Sequence, residues 1–281
     1  MAGGIERFSG KRVLVTGAGT GIGREIAVEF ARQGADVALH YSHDEANGES
    51  AVEEIRNLGR RAASFQARFE EMGQVLQLIQ QSIDFLGGLD CLVNNAGITF
   101  NKPFLKVTEE QYETLFHVNV RAQFFLTQRA AAHMIDHGGG AVVNIASIHG
   151  LQAAPEHAIY SATKGAVIAF TRTAGVELAH KGIRVNAVAP GWVMVEGHKN
   201  IFPGYTEQSA LEDAKNAVPL GRPGFPRDIA KLVTFLCSED AAYIVGQTIV
   251  SDGGTTSLMS LISDFRSEST ARCGLGYVNG A

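Results

Sequence analysis

The chain has 281 residues, a formal net charge of −5, 45% hydrophobic residues and 19% charged residues. This length is sufficient for one large α/β domain or two small ones, and the apolar content can fill a complete core. Because the charge is slightly negative and no run of Lys and Arg occurs, the composition argues against nucleic acids and anionic membranes as partners.

The cysteines and the apolar runs indicate the cellular environment. Cys91, Cys237 and Cys273 are odd in number and far apart, which fits neither a disulfide framework nor a zinc site. No apolar run approaches the ~18 residues of a membrane span, and the first residues lack the apolar core of a signal peptide. We therefore expect a soluble protein in the reducing cytoplasm.

Short apolar segments alternate with longer segments of helical periodicity along the chain. The predicted strands are RVLVT (12–16), DVALHY (36–41), RAASFQ (61–66), DCLVN (90–94), AVVNIA (141–146), IRVNAVA (183–189) and QTIVS (247–251). The predicted helices cover about 21–33, 45–58, 70–86, 109–136, a segment carrying Tyr160, and about 226–237. The stretch that follows residue 189 is predicted to be irregular.

The alternation of β-rich runs with helices determines the expected fold class. It indicates an α/β protein with a parallel sheet that helices bury on both faces through right-handed crossovers. No linker or repeat interrupts the pattern before residue 255. We therefore expect a single domain over residues 1–255 and a C-terminal tail over residues 256–281.

A glycine-rich loop follows the first predicted strand. The sequence TGAGTGIG places glycines at positions 17, 19, 21 and 23, between a strand and a helix. Glycine allows the backbone to approach a pyrophosphate, and the helix N-terminus directs its free N–H groups and positive dipole end toward the phosphates. The alternative is an ordinary glycine-rich turn, but the flanking strand and helix favour dinucleotide binding.

Five motifs occur in one order along the chain. They are T-G-x-x-x-G-x-G at 16–23, N-N-A-G at 94–97, Ser147, Y-x-x-x-K at 160–164 and P-G at 190–191. Together they resemble the single-domain type of the short-chain dehydrogenase/reductase family, from about residue 10 to residue 254. The resemblance implies a single-domain Rossmann-type doubly wound parallel sheet of about seven strands, and an oxidoreductase that uses NAD(P)(H).

The resemblance also implies a catalytic set, which consists of Asn119, Ser147, Tyr160 and Lys164. Tyr160 and Lys164 are one helical turn apart, so phenol and ammonium lie on one helix face. A nearby ammonium lowers the pKa of a tyrosine from about 10, which makes it a better acid or base. Ser147 would hydrogen-bond the substrate oxygen, and Asn119 would hold a water in a proton relay.

The expected cofactor-binding residues follow from the same resemblance. They are Gly17, Gly19, Thr20, Gly21, Ile22, Gly23, Tyr41, Ser42, His43, Arg68, Phe69, Asn95, Ala96, Gly97, Tyr160, Lys164, Pro190, Gly191 and Val193. Two positions depart from the family pattern: Arg68 replaces the usual aspartate after the third strand, and Val195 replaces a threonine. We expect both departures to weaken cofactor affinity modestly, although Arg68 could stack on the adenine.

The end of the second strand bears on the choice between NAD and NADP. An acidic residue there would bind the ribose hydroxyls of NAD, but Asp44 and Glu45 come later, where they can simply begin the next helix. Ser42 and His43 could hydrogen-bond a 2′-phosphate, although Thr20 stands where NADP-dependent relatives often have arginine. The sequence therefore favours NADP over NAD.

Polar residues near the catalytic set form the expected substrate side. They are His149, Gln152, His157, Trp192, Glu196 and His198. A rim of this kind suits a sugar, a polyol or a small hydroxy-ketone better than a steroid or an acyl chain, although each residue alone could be a solvated loop residue. His133 and His137 have ligand-like spacing without a third partner, so no metal site is predicted.

The segments QRAAAHMI and AVIAFTRTAGVELA carry small residues on more than one face, which indicates helices buried on both sides. The resemblance implies that these helices pair between subunits, and we expect a homo-oligomer, most simply a homotetramer. Packing inside one chain is the alternative.

The sequence is also compatible with two other functions. One is a 3-oxoacyl-carrier-protein reductase, for which Arg129 and Arg172 would be candidate docking residues, although the net acidity of the chain argues against it. The other is a regulatory or scaffold protein that binds NAD(P) without turnover. Loss of catalytic residues would favour that function, but the complete set is present.

Overall fold

A computed structural model describes residues 6–195 and 206–258. Within them one parallel sheet has the strand order β3-β2-β1-β4-β5-β6-β7. Its strands are β1 (Arg12–Val15), β2 (Asp36–Tyr41), β3 (Ala62–Gln66), β4 (Cys91–Asn94), β5 (Gly140–Ile145), β6 (Ile183–Pro190) and β7 (Thr248–Ser251). The helices are α1 (Gly21–Arg32), α2 (Glu45–Asn57), α3 (Met72–Leu86), α4 (Glu109–Phe116), α5 (Ala122–Ile135), α6 (Ala158–Ala179), α7 (Glu207–Ala217) and α8 (Pro226–Cys237).

Helices cover both faces of the sheet, and the central strands β1, β4 and β5 are buried on both sides. In β1, Val13 and Val15 pack into a core shared with α1, α2 and α8. The intervening Leu14 points to the opposite face and packs with residues of α3 and α5. Strands that are buried on both faces have continuous apolar sequences rather than an alternation of apolar and polar residues. The predicted doubly wound parallel sheet of seven strands is therefore confirmed.

The strand order places a crevice beside the first glycine loop. From β1 the chain runs outward to β2 and β3, and then crosses back to form β4 on the other side of β1. At such a switch point the loops that leave the carboxyl ends of the two central strands diverge, which opens a binding crevice. The loops that follow β1, β4, β5 and β6 all lie at this edge.

Three parts of the chain differ from the sequence predictions or lie beyond them. The helix predicted over 109–136 is interrupted by a π-helical turn, His117–Arg121, with Asn119 at its centre. Helix α7 lies in a stretch predicted to be irregular, and it begins with a capping box between Thr206 and Ser209. Residues 259–281 lie outside the described residues, so the domain boundary at 255 stays a prediction. No helix in 6–195 or 206–258 is long and apolar enough to cross a membrane.

A buried histidine connects the glycine loop to two strands. The Nδ1 atom of His40 accepts a hydrogen bond from the Gly17 N–H (3.1 Å), and its Nε2 atom lies 2.9 Å from the Ala67 carbonyl oxygen. The ring stacks on Phe69 with a centroid distance of 4.2 Å. Since a carbonyl can only accept, Nε2 carries the proton of the neutral ring. His40 thereby holds the ends of β1, β2 and β3 together.

Burial lowers the pKa of His40 from 6.5 to about 4. Below pH 6.5 the His40 ring is protonated in the unfolded chain but stays neutral in the folded chain. The contribution of His40 to stability is therefore lost as the pH falls toward 4. This linkage amounts to about 3 kcal/mol. The variant His40→Asn should be less stable at pH 7 but should lose less stability between pH 6.5 and 4.5, as measured by urea unfolding.

The control for this prediction is His43→Asn, which changes an exposed histidine close to the same strand end. It should keep the wild-type pH dependence. Parallel curves of stability against pH for the wild type and His40→Asn would show that His40 does not titrate as described.

Candidate active site

A cavity of about 1170 Å³ opens at the carboxyl edge of the sheet. The loops after β1, β4, β5 and β6 line it together with residues of α7. Single small-molecule pockets usually measure about 300–1,000 Å³. The cavity is therefore large enough for an extended ligand and a second, smaller molecule beside it.

The glycine loop forms one wall of the cavity. Gly17 and Gly21 have φ angles of +63° and +57°, in the left-handed region that glycine adopts without strain. A Cβ atom at Gly23 would collide with the Gly17 carbonyl oxygen, so α1 can approach the loop this closely only because residue 23 is glycine. Thr20 makes no side-chain cap bond within the described residues, which leaves the first N–H groups of α1 for a ligand. These features fit a pyrophosphate.

The N-N-A-G segment fixes this loop from the neighbouring strand. Asn94 is buried and donates to Asn144 Oδ1 (2.8 Å) inside the sheet. The Asn95 side-chain amide donates to the carbonyl oxygens of Thr16 and Gly17, each at 3.0 Å. The role of this segment is therefore chiefly to position backbone, while Asn95, Ala96 and Gly97 also line the cavity.

The expected adenosine side is only partly brought together. Ser42, His43 and Phe69 line the cavity, and so do His40 and Glu70, which we had not predicted. The described lining does not include Gly19, Tyr41 or Arg68. The Tyr41 ring lies against Gly48 of α2, and the exposed Arg68 donates its backbone N–H to Gln74 (2.7 Å). The structure thus gives Tyr41 a packing role and leaves Arg68 away from the lining.

The acidic residue nearest the end of β2 is engaged elsewhere. The Asp44 carboxylate accepts hydrogen bonds from the backbone N–H (3.1 Å) and side-chain amide (2.6 Å) of Asn47. It therefore caps the N-terminus of α2, and it does not line the cavity.

Ser147, Tyr160 and Lys164 lie together in the cavity wall. Lys164 is buried, its Nζ atom donates to the Ile145 carbonyl oxygen (2.8 Å), and it lies 5.6 Å from the centroid of the Tyr160 ring. Burial lowers the pKa of Lys164 to about 8. Burial also raises the pKa of Tyr160, and a hydrogen bond with Ser147 offsets part of that increase.

These directions correct one expectation from the sequence. We expected Lys164 to bring the pKa of Tyr160 below its ordinary value, whereas desolvation dominates and the pKa is raised. The Lys164 ammonium is directed at the Ile145 carbonyl oxygen. The spacing of Tyr160 and Lys164 in the sequence does not reveal this contact.

Asn119 lies behind the cavity wall rather than in it. Its Oδ1 atom accepts from the Ile98 N–H (2.8 Å), and its Nδ2 atom donates to the Ile98 carbonyl (2.9 Å) and to Thr163 Oγ1 (3.2 Å). The π-helical turn gives Asn119 this position between the loop after β4 and helix α6. Its role in a proton relay stays a prediction.

On the substrate side, His149, His157 and Trp192 line the cavity. Gln152 is exposed, donates to the Thr256 carbonyl (3.3 Å) and is not part of the described lining. Glu196 and His198 lie outside the described residues. Val195, which replaces the family threonine, also lines the cavity. The lining further includes residues that no motif identified: Ile98, Thr99, Val118, Ile145, Ala146, Ile148, Ser209 and Asp213.

No group of three or more His, Cys, Asp or Glu residues in 6–195 or 206–258 is arranged to hold a metal ion. His133 and His137 instead stack on each other at the end of α5, with ring centroids 4.0 Å apart. A histidine near a helix C-terminus is favoured by the helix dipole.

Comparison with known proteins gives consistent matches over most of the chain. A family model described as enoyl-(acyl carrier protein) reductase matches residues 17–256. The hydroxynaphthalene reductase-like protein Arp2 of Metarhizium guizhouense is 38% identical over 257 residues, which cover 88% of this chain and 96% of that protein. The acetoin dehydrogenase from Enterobacter cloacae superposes with a TM-score of 0.82 at 34% identity, over 90% of this chain and 98% of its own.

A 7α-hydroxysteroid dehydrogenase solved with NADH and 7-oxo glycochenodeoxycholic acid superposes with a TM-score of 0.82 at 33% identity, over 89% of this chain and 96% of its own. The matched region contains the glycine loop, the N-N-A-G segment and the Ser147–Tyr160–Lys164 cluster. The chain is therefore an oxidoreductase that belongs to the short-chain dehydrogenase/reductase family.

Proposed function

We propose that this oxidoreductase interconverts a secondary alcohol and a ketone with NADP(H), and that its substrate is a small polar hydroxy-ketone, a sugar or a polyol. The observation that carries the proposal is the cluster of Ser147, Tyr160 and Lys164 in one cavity wall, next to a glycine loop that fits a pyrophosphate. Oxidation of a sugar hemiacetal to a lactone is the same chemistry.

The chain's own groups account for the proton and the developing charge. When it is bound, the nicotinamide supplies or accepts the hydride. Tyr160 donates a proton to the substrate oxygen in reduction and removes it in oxidation. Ser147 hydrogen-bonds that oxygen and also stabilises the phenolate form of Tyr160. Lys164, with a pKa of about 8, lies 5.6 Å from the centroid of the Tyr160 ring, so its ammonium form is near the phenolate that oxidation requires.

Several polar groups support a polar substrate. His149 and His157 lie beside Tyr160, and Thr99, Ser209 and Asp213 line the same cavity. The relatives include an acetoin dehydrogenase and a hydroxynaphthalene reductase-like protein, which suggests substrates that carry more than one oxygen. A reductase of carrier-bound acyl groups is the second candidate, because the matching family model is described as an enoyl-(acyl carrier protein) reductase.

The preference for NADP rests on the end of β2. Asp44 is occupied at the N-cap of α2, which leaves Ser42 and His43 to face a ligand there. A carboxylate that is already hydrogen-bonded to the helix N-terminus is poorly placed to bind ribose hydroxyls or to repel a 2′-phosphate.

We also propose a homotetramer. Helices α5 and α6 expose Phe124 (45%) and Val176 (69%), and Phe124 contacts Phe170 edge-on across the two helices.

Substitution of both Phe124 and Val176 by glutamate should give a smaller species in light scattering, since charges are excluded from apolar interface cores. An unchanged mass would place any subunit contact elsewhere.

The expected cytoplasmic location, which rests on the scattered cysteines, stays a prediction.

The first test of the reaction uses Tyr160→Phe. Nicotinamide absorbance is followed with sugars, polyols, hydroxy-ketones, diketones and an acetoacetyl thioester, each with NAD(H) and NADP(H). The substitution should lower kcat by about 10²- to 10⁴-fold, because it removes the proton donor and leaves the ring. Tyr112→Phe, at an exposed tyrosine of α4, should keep full activity.

Turnover of the thioester alone would replace the proposed substrate class with the acyl class. Cofactor binding without turnover of any compound would favour the regulatory or scaffold function.

The cofactor preference is tested with Ser42→Asp. A carboxylate in the cavity at this position should raise the Kd of NADPH at least tenfold, because like charges brought together cost about 1.4 kcal/mol or more. The Kd of NADH should stay similar or fall, because the new carboxylate can accept from the ribose hydroxyls. Fluorescence titration of both cofactors measures the two constants.

Asp44→Asn serves as the control, since it alters the helix cap and not the cavity lining. A large loss of NADH affinity in that variant would show that Asp44 binds the ribose after all.

A further inference from the structure

The turn that precedes α6 has an unusual backbone. Glu156 has a φ angle of +64°, and among the residues that the structure describes no other non-glycine residue has a positive φ. The Glu156 carbonyl accepts a hydrogen bond from the Lys102 N–H (2.9 Å), which ties the turn to the loop after β4. Such conformations persist only where the surroundings impose them, and they cluster at functional sites.

The residue after this strained position is His157, whose ring is aimed by the turn itself. Its Nδ1 atom lies 2.8 Å from the Pro155 carbonyl oxygen. A carbonyl oxygen only accepts, so in the neutral ring Nδ1 carries the hydrogen and Nε2 presents a lone pair. His157 lines the cavity, and its ring centroid is 6.3 Å from that of Tyr160.

A second imidazole, that of His149, packs against the His157 ring. The His149 ring packs edge-on against His157, with centroids 4.7 Å apart, and lies 5.6 Å from the Tyr160 ring. The Nδ1 atom of His149 is buried and has no hydrogen-bond partner within the described part of the chain. Burial and the neighbouring His157 both lower the pKa of His149, so this ring is neutral at neutral pH. The two rings and the phenol form one continuous surface in the cavity.

We propose that His157 is a specificity-determining residue whose Nε2 atom accepts a hydrogen bond from a free hydroxyl on the substrate, close to the carbonyl that Tyr160 protonates. The inference rests on the proposed function and narrows it to ketones that carry a hydroxyl donor. An ether oxygen at the same place cannot donate, and a plain ketone leaves the Nε2 lone pair without a partner. Sites built to hydrogen-bond a substrate hydroxyl discriminate strongly against analogues that lack it.

The test uses three ketones of one carbon skeleton: 3-hydroxy-2-butanone, 3-methoxy-2-butanone and 2-butanone. The wild-type enzyme should reduce the hydroxy-ketone with a kcat/KM about ten- to hundredfold above that of the other two. His157→Leu should remove this preference, mainly by raising KM for the hydroxy-ketone, and should change kcat/KM for 2-butanone by less than about threefold. His157→Asn, whose amide oxygen can accept, should restore part of the preference.

His137→Leu is the matched control. The Nδ1 atom of His137 also contacts a backbone carbonyl oxygen, that of His133 at 2.7 Å, but His137 does not line the cavity. This variant should leave all three rates unchanged. NADPH affinity and thermal unfolding are measured for every variant, since a merely structural role of His157 would lower all three rates together.

Equal rates for the three ketones in the wild type, or an equal loss for all three in His157→Leu, would overturn the inference and leave the proposed function intact. If the protein binds NADPH but reduces none of the three ketones and no other carbonyl compound of the wider panel, the proposed function is overturned, and the inference with it.

Discussion

The site depends on a close approach between the loops that leave β1 and β4. Thr16 Oγ1 accepts the backbone N–H groups of Asn95 and Ala96, each at 3.0 Å, and the Asn95 amide returns two hydrogen bonds to the first loop. A Cβ atom at Gly17 would lie 2.9 Å from the Ala96 Cα atom, so a larger residue would force the loops apart. Because the two loops are held together, the N-terminus of α1 and the wall carrying Tyr160 face one cavity.

Within that cavity, desolvation acts on the tyrosine and the lysine in opposite directions. The pKa of Tyr160 is raised and that of Lys164 is lowered to about 8, so burial favours the neutral form of each group. At neutral pH the phenol therefore holds its proton, which makes it ready to act as an acid in reduction. In the proposed reaction, oxidation requires the phenolate, and the hydrogen bond with Ser147 favours its formation. In the proposed reaction, the raised pKa of Tyr160 therefore favours its action as an acid at neutral pH and as a base only in alkaline solution.

The features that could be predicted from the sequence are those that depend on local chain chemistry. Continuous apolar runs identified the strands, and the glycine spacing identified the phosphate loop, because only glycine allows that backbone geometry. The π-helical turn at Asn119 left no sign in the periodicity, and α7 escaped prediction because its buried residues are only Ala210 and Ala214. Burial is a property of the assembled structure, which is why the neutral His40 and the raised pKa of Tyr160 could not be derived beforehand.

The two halves of the cavity are constructed differently, and this difference explains why one was easier to predict. The cofactor half uses backbone N–H groups and glycines, so its sequence pattern is strict. The substrate half uses side chains on the turn before α6, on the loop after β6 and on α7, and many combinations of side chains fit such a framework. Reaction class is therefore encoded in short motifs, whereas the proposed substrate selectivity rests on contacts such as that between His157 Nδ1 and the Pro155 carbonyl. That contact fixes which nitrogen of the neutral ring can accept a hydrogen bond, and in the proposed role it thereby determines which substrate group is recognised.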